Sequence, residues 1–184
     1  MKVFGFAAWS GSGKTTMIEN LIPLLAERGF RVSVIKHAHH AFDVDKPGKD
    51  SFRHRQAGAA EVLVSSSARW ALMHELHTEG EPELPQLLAR LSSCDLVLVE
   101  GFKLQPIPKL EIHRKSTGSA LLYPGDPNIV AVATDATLDT GLPQFALGDY
   151  PAISRFILGH LGLAKADRPA ASKGQVGDNP DHET

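Results

Sequence analysis

A single cysteine, Cys94, leaves the chain no partner for an internal disulfide and points to a reducing compartment. Cys94 itself reads as a small buried residue ahead of a strand. Cationic excess is missing too. Nineteen Lys and Arg stand against 21 Asp and Glu, for a net charge of −2 and a pI near 6.5. That balance argues against a broad basic surface for nucleic acid. No apolar run approaches the roughly 18–20 residues that span a bilayer. The first residues show no basic stretch leading into a long apolar one, so no signal peptide is expected, and the location expected is the cytoplasm. What remains is an ordinary apolar fraction, 42% over 184 residues, enough for one domain with one core and a tail.

Apolar runs and helical spacings alternate along the chain. Lys2–Ala8 is an uninterrupted apolar run, as expected of a central strand covered on both faces. Met17, Ile18, Leu21, Ile22, Leu24 and Leu25 recur at helical spacing between Lys14 and Arg28. Gly29 fits the residue past the helix end, and Pro23 should bend the helix or remove one of its hydrogen bonds. Arg31–His37 reads as a second strand. A short helix then follows, with Asp50 or Ser51 as its cap and Gly58 near its end. Glu61–Ser67 and Arg69–Glu75 are strand-like runs that suit a hairpin, and Pro82–Leu91 a short helix. Asp95–Phe102, Lys109–His113, Asn128–Asp135 and Pro143–Asp149 are further strands, and Ala152–Leu161 is a closing amphipathic helix. Residues 163–184 lose the apolar pattern and are expected to be a disordered tail, leaving residues 1–162 as the domain. The alternation predicts an α/β layer fold with a largely parallel sheet.

Between the first strand and the first helix stands Ala8-Trp9-Ser10-Gly11-Ser12-Gly13-Lys14-Thr15, a phosphate-binding loop in its required context. Gly11 and Gly13 let consecutive N–H groups turn inward around phosphates, and the helix adds its positive dipole end. Lys14 would reach the β- and γ-phosphates, the Thr15 hydroxyl would bind Mg²⁺, and Thr16 is placed for the α-phosphate. Ala8 replaces the usual glycine at the first position, where the residue closes the strand and need not approach phosphate. The loop therefore predicts a bound nucleoside triphosphate.

In an open α/β sheet the ligand sits at the carboxyl ends of the strands. Glu100 is the carboxylate at that end of its strand and the candidate partner of the metal. Its extra methylene, relative to aspartate, favours a water-mediated contact. Asp95 lies about 16 Å away at the other end, at about 3.3 Å per residue. Gly101 would let a backbone N–H approach the γ-phosphate. Residues 36–51 are also unusual: His37, His39 and His40 are followed by Asp43, Asp45 and Asp50, with Lys46 and Lys49 around Pro47-Gly48. Emerging after the second strand, this segment could read the γ-phosphate. Its lysines, Lys49 among them, would neutralise charge, and an aspartate, with Asp45 the candidate, would bind Mg²⁺ or orient water. A transition-metal site on the histidines and a merely solvated loop are the alternatives. His74 and His77 read as surface histidines.

Four segments, FAAWSGSGKTT, IKHAHHAFDVDKPGKDS, QAGAAEVLVSSSARWALMHE and LVLVEGFK, together resemble the molybdopterin-guanine dinucleotide biosynthesis adapter family, MobB. The likeness runs from residue 2 to about 160. It implies a P-loop NTPase fold with an inserted β-hairpin, and a homodimeric GTP-binding protein of weak GTPase activity. It implies as partner the guanylyltransferase that attaches GMP to molybdopterin, with molybdopterin itself or cofactor-delivery proteins as further candidates. Phosphate contacts carry over to Gly11, Ser12, Gly13, Lys14, Thr15 and Thr16, with Ser10 beside them, and the acidic role to Glu100.

The usual guanine-reading Asn-Lys-x-Asp element is absent. Asp135, at the end of a strand, is the candidate to accept from guanine N1 and N2. No arginine finger or water-orienting glutamine follows Glu100-Gly101, so slow hydrolysis is expected, with Arg53 and Arg55 able to serve only if their helix approaches. A small-molecule kinase and a metallochaperone GTPase are the competing functions. The first would need a basic lid, and the arginines are scattered; the second rests on the histidines.

Overall fold

The computed structural model describes residues 1–38 and 42–164. His39 and His40, and the tail expected from residue 163 apart from its first two residues, lie outside the described residues. The chain falls into two compact units, one formed by residues 1–34 with the chain from residue 93 onward, the other by residues 35–92.

The first unit is built on a six-stranded sheet. Its strands are β1 (Lys2–Ala7), β2 (Val32–Lys36, which runs across the unit boundary), β5 (Leu96–Glu100), β6 (Lys109–His113), β7 (Ile129–Thr134) and β8 (Gln144–Ala146), in the order β2-β5-β1-β6-β7-β8. The pairs β1–β5, β1–β6, β6–β7 and β7–β8 are all parallel. β1 is central and buried from Phe4 to Ala7, which is why it reads as a run rather than an alternation.

Helices α1 (Lys14–Glu27) and α4 (Tyr150–His160) cover one face. Period-2 spacing sends Phe4 and Phe6 of β1, Leu96 and Leu98 of β5, Leu110 and Ile112 of β6, and Ala131 and Ala133 of β7 into a single core. Met17, Ile18, Leu21 and Leu25 of α1 and Ile153 and Ile157 of α4 fill it. Each fully buried Leu, Ile or Phe there contributes about 1.5–3 kcal/mol of transfer free energy. α1 runs through Pro23 without ending and stops at Gly29, whose φ of +82° is a conformation glycine adopts cheaply. α4 begins one residue pair earlier than its periodicity suggests, because the Asp149 carboxylate accepts from the Ala152 N–H at 3.1 Å and caps it.

The opposite face of β6 carries charge into the interior. Lys109 is 1% exposed and pairs with Asp126 at 2.8 Å; Glu111 is equally buried and accepts the Leu122 and Tyr123 amides at 2.7 and 2.8 Å. These bonds tie the 114–126 segment, with its 3₁₀ turns at Lys115–Thr117 and Tyr123–Gly125, to the sheet. Cys94 is half-buried rather than fully buried.

The second unit holds α2 (Asp50–Gln56), the antiparallel hairpin of β3 (Glu61–Ser65) and β4 (Trp70–His74), and α3 (Leu84–Arg90). Lys49, not Asp50 or Ser51, is the N-cap of α2, with no side-chain cap; Asp50 is its first helical residue. Directly opposed hairpin residues share a face, so Leu63, Leu72 and Trp70 stand together, and all three are exposed.

Candidate functional site

β1 ends at Ala7 and α1 begins at Lys14, and the chain between them forms the loop the sequence marks out. Ala8 is 1% exposed and belongs to the core, which explains why a methyl is accepted there. Gly11 at φ +77° and Gly13 at φ +97° adopt backbone that L side chains rarely take. Among the described residues beyond its chain neighbours, nothing lies within 4 Å of where a Gly11 Cβ would stand, so the loop faces open space there. Gly13 is the N-cap of α1 and has no side chain to satisfy the helix's first amides. Those donors and the helix dipole point at one place, a ready anion site.

Lys14 Nζ donates to the Ala8 and Trp9 carbonyls at 3.1 and 3.2 Å, folding its stem back over the loop. The register of β5 on β1 sets Glu100 beside Phe6, at the loop's root. The Thr15 hydroxyl then donates to Glu100 Oε1 at 3.3 Å, across 85 residues of sequence. Ser10, Gly11, Gly13, Lys14, Thr15 and Thr16 with Glu100 line a cleft of about 310 Å³. Hydroxyl and carboxylate oxygens are hard donors, the kind Mg²⁺ takes. Asp95 sits at the far end of the strand, accepting from the Arg31 N–H at 2.7 Å, and stays out of the cleft. Gly101 at φ +97° and Phe102 at φ +49° turn the chain sharply after Glu100. The second of these costs about 1 kcal/mol for a residue with a Cβ.

Asp135 lies at the carboxyl end of β7. One of its oxygens accepts the Lys115 amide at 2.7 Å. That bond first, and the nearby Arg114 and His113 charges after it, hold its carboxyl below the usual range. Sequence reading missed Arg114, the residue after β6. Its Nη2 lies 3.6 Å from where a Gly13 Cβ would stand. The only sequence signal was a cation just past a strand's carboxyl end.

Asp45 and Lys49 belong to the second unit. Asp45 Oδ1 accepts the Ser51 hydroxyl at 2.7 Å, and its Oδ2 accepts Arg55 Nε at 3.2 Å. Ser51 first, then Arg55 and the Lys46 amide, hold the Asp45 carboxyl below its ordinary value despite desolvation. Arg55 also donates to Glu75 at 2.6 Å and Asp43 at 2.7 Å. Three carboxylates occupy the guanidinium, so Arg55 is not the loose cation a finger requires; Arg53, by contrast, is exposed and among the described residues pairs only with Asp50, at 3.6 Å. His37 bonds Glu81, and His74 is exposed, as a surface histidine should be, with its Nδ1 and Nε2 facing Glu61 and Glu79 at 2.8 and 3.1 Å. Among the described residues no group of three or more His, Cys, Asp or Glu is placed to hold a metal ion. A wider depression of about 580 Å³ between α2 and β3 is lined by backbone and aliphatic groups with His54 and Glu61, and has no phosphate cradle.

A parallel sheet whose central strand runs through this loop into a helix, with an acidic residue at the end of the neighbouring strand, defines a P-loop nucleotide-binding fold. Comparison narrows the class. Residues 3–135 match the model of the family described as molybdopterin guanine dinucleotide synthesis protein B, MobB, and the chain belongs to that family. It is 44% identical over 161 residues to the molybdopterin-guanine dinucleotide biosynthesis adapter protein of Escherichia coli K12, covering 85% of this chain and 91% of that one. The corresponding Haemophilus influenzae adapter is 43% identical over 157 residues, 84% of this chain and 86% of its own. The crystal structure of Bacillus subtilis MobB superposes with a TM-score of 0.71 at 28% identity, covering 88% of this chain and 98% of that chain. The chain is thus a MobB-type adapter of molybdopterin-guanine dinucleotide biosynthesis, as the sequence motifs led us to expect.

Proposed function

We propose that this adapter binds GTP with Mg²⁺ in the cleft of the phosphate loop and hydrolyses it slowly. The observation that carries the reading is the meeting of Thr15 and Glu100 at 3.3 Å beside an uncapped helix N-terminus. Ser10 to Thr16 take the phosphates, Thr15 and Glu100 the metal, and Gly101 the γ-phosphate side. Asp135 reads the guanine edge with the oxygen not given to Lys115. Bound Mg²⁺ supplies electrostatic stabilisation of the β,γ-bridge. Hydrolysis is slow because no arginine finger or water-orienting glutamine follows Glu100-Gly101.

In the cytoplasm the nucleotide state of the adapter then governs its service to the guanylyltransferase that joins GMP to molybdopterin. The exposed face of Leu63, Trp70 and Leu72 supports a homodimer. Calorimetric titration with GTP and, separately, ATP, each with Mg²⁺, tests the reading. Preference for GTP that disappears in Asp135→Ala is the expected result; preference for ATP rejects it.

A further inference from the structure

Arg114 is a half-buried cation whose charge, as described above, acts on Asp135. Its backbone carbonyl accepts the Thr117 amide at 3.0 Å and the Thr117 hydroxyl at 2.8 Å, which fixes the main chain in a turn. Its guanidinium enters no ion pair or hydrogen bond among the described residues. Its Nη2 approaches the Gly13 backbone at the start of α1, where the first-turn amides have no side-chain cap, and the Asp135 carboxylate is close enough to feel its charge. Helix amides without a side-chain cap beside a guanidinium favour an anion, and the planar guanidinium fork suits phosphate oxygens.

We propose that Arg114 is a fixed phosphate ligand of the bound nucleotide, contacting its α- and β-phosphates from the carboxyl end of β6. This rests on the nucleotide reading of the loop given above. The α- and β-phosphates are chosen over the γ-phosphate because Gly13 belongs to the part of the loop whose amides cradle them. The arrangement also joins the two ends of the ligand. Arg114 reaches the loop through its side chain, while the next residue, Lys115, gives its amide to Asp135. Phosphate contact and base contact therefore hang on two adjacent residues of one turn, itself held by Glu111 and by the Trp9 indole N–H donating to the Ala120 carbonyl at 2.7 Å.

The test titrates the full chain, Arg114→Ala and Arg114→Lys with GTP and with GDP, each with Mg²⁺, at one ionic strength. Loss of a charge-assisted bond should weaken GTP and GDP alike in Arg114→Ala, by about 10- to 100-fold, with Arg114→Lys between. The melting temperature of nucleotide-free Arg114→Ala should stay within about 2 °C of the parent. Unchanged affinity for both nucleotides overturns the proposal. So does a loss confined to GTP or to turnover, which makes Arg114 a γ-phosphate group, and so does a large fall in melting temperature. If the parent chain prefers ATP and ADP, the guanine reading fails while the same comparison, run with that pair, still decides Arg114. A parent that binds neither ends both readings before any variant is made.

Discussion

The loop from Ala8 to Thr16 and the segment from Asp43 to Arg55 are both short, punctuated by glycine and crowded with polar groups, yet they are built in opposite ways. In the loop an uncapped helix start and the backbone around Gly11 and Gly13 face an open cleft, with the Lys14 stem folded back over them. In the segment the charges close on one another. Arg55 is shared by Asp43, Asp45 and Glu75, and Ser51 completes Asp45. The contrast teaches that charge density in sequence does not mark a binding site. What marks it is hydrogen-bonding capacity left over once the fold has taken its share.

The sharpest way to break that contrast is Lys14→Ala. It should lower GTP affinity at least about 100-fold by calorimetry, the loss of a strong charge-assisted contact. A change below threefold would show that the loop is not the nucleotide cradle. Next in size is Gly13→Ala. The added methyl meets Arg114 only at ordinary contact distance, so the cost comes from φ +97° and not from a clash. About 1–2 kcal/mol of strain should appear as roughly tenfold weaker GTP binding in the same titration.

The closed network should respond differently. Arg55→Leu strands three carboxylates, so hydrogen exchange across α2 should quicken by about tenfold or more while GTP affinity moves less than about threefold. An affinity loss as large as that of Lys14→Ala would place the network inside the site. Asp45 adds a pH dependence with a definite sign. Its carboxyl is held below the ordinary 3.8, so its contribution is present above that pH and fades as pH falls through its lowered value. Exchange protection of α2 measured against pH should fall on the acid side only.

The smallest effect belongs to His74. Both ring nitrogens face carboxylates, which only accept, so the imidazolium form fits both bonds. Glu61 first and then Glu79 raise its pKa above 6.5. Its stabilisation of the hairpin is therefore complete below pH 6.5 and lost as pH rises through the raised value. A proton NMR titration should place His74 above 6.5 and show it returning toward that value in Glu61→Gln; no shift between the two would remove the clamp.

Much of the fold was legible because its signals are local. The apolar run at β1, the helical spacing of α1 and the Lys109–His113 strand need only neighbours in sequence to be read. The phosphate loop is likewise contiguous, since a cradle of successive amides comes from consecutive residues. Boundaries were less legible where a cap decides them: Asp149 starts α4 early, and Lys49 rather than Asp50 precedes α2. The place of Glu100 was readable from strand direction alone, but its contact with Thr15 was not.

By itself, then, the sequence determined the family, the loop and the order of strands and helices. Only the tertiary structure decided which charges are spent. Parallel pairing of β5, β1, β6 and β7 brings residues from positions 13, 15, 100, 114 and 135 to the carboxyl edge of one sheet. The same folding withdraws Arg55 into a network. Sequence spacing cannot foresee either, because whether a charged group is free or satisfied depends on partners that arrive from distant parts of the chain.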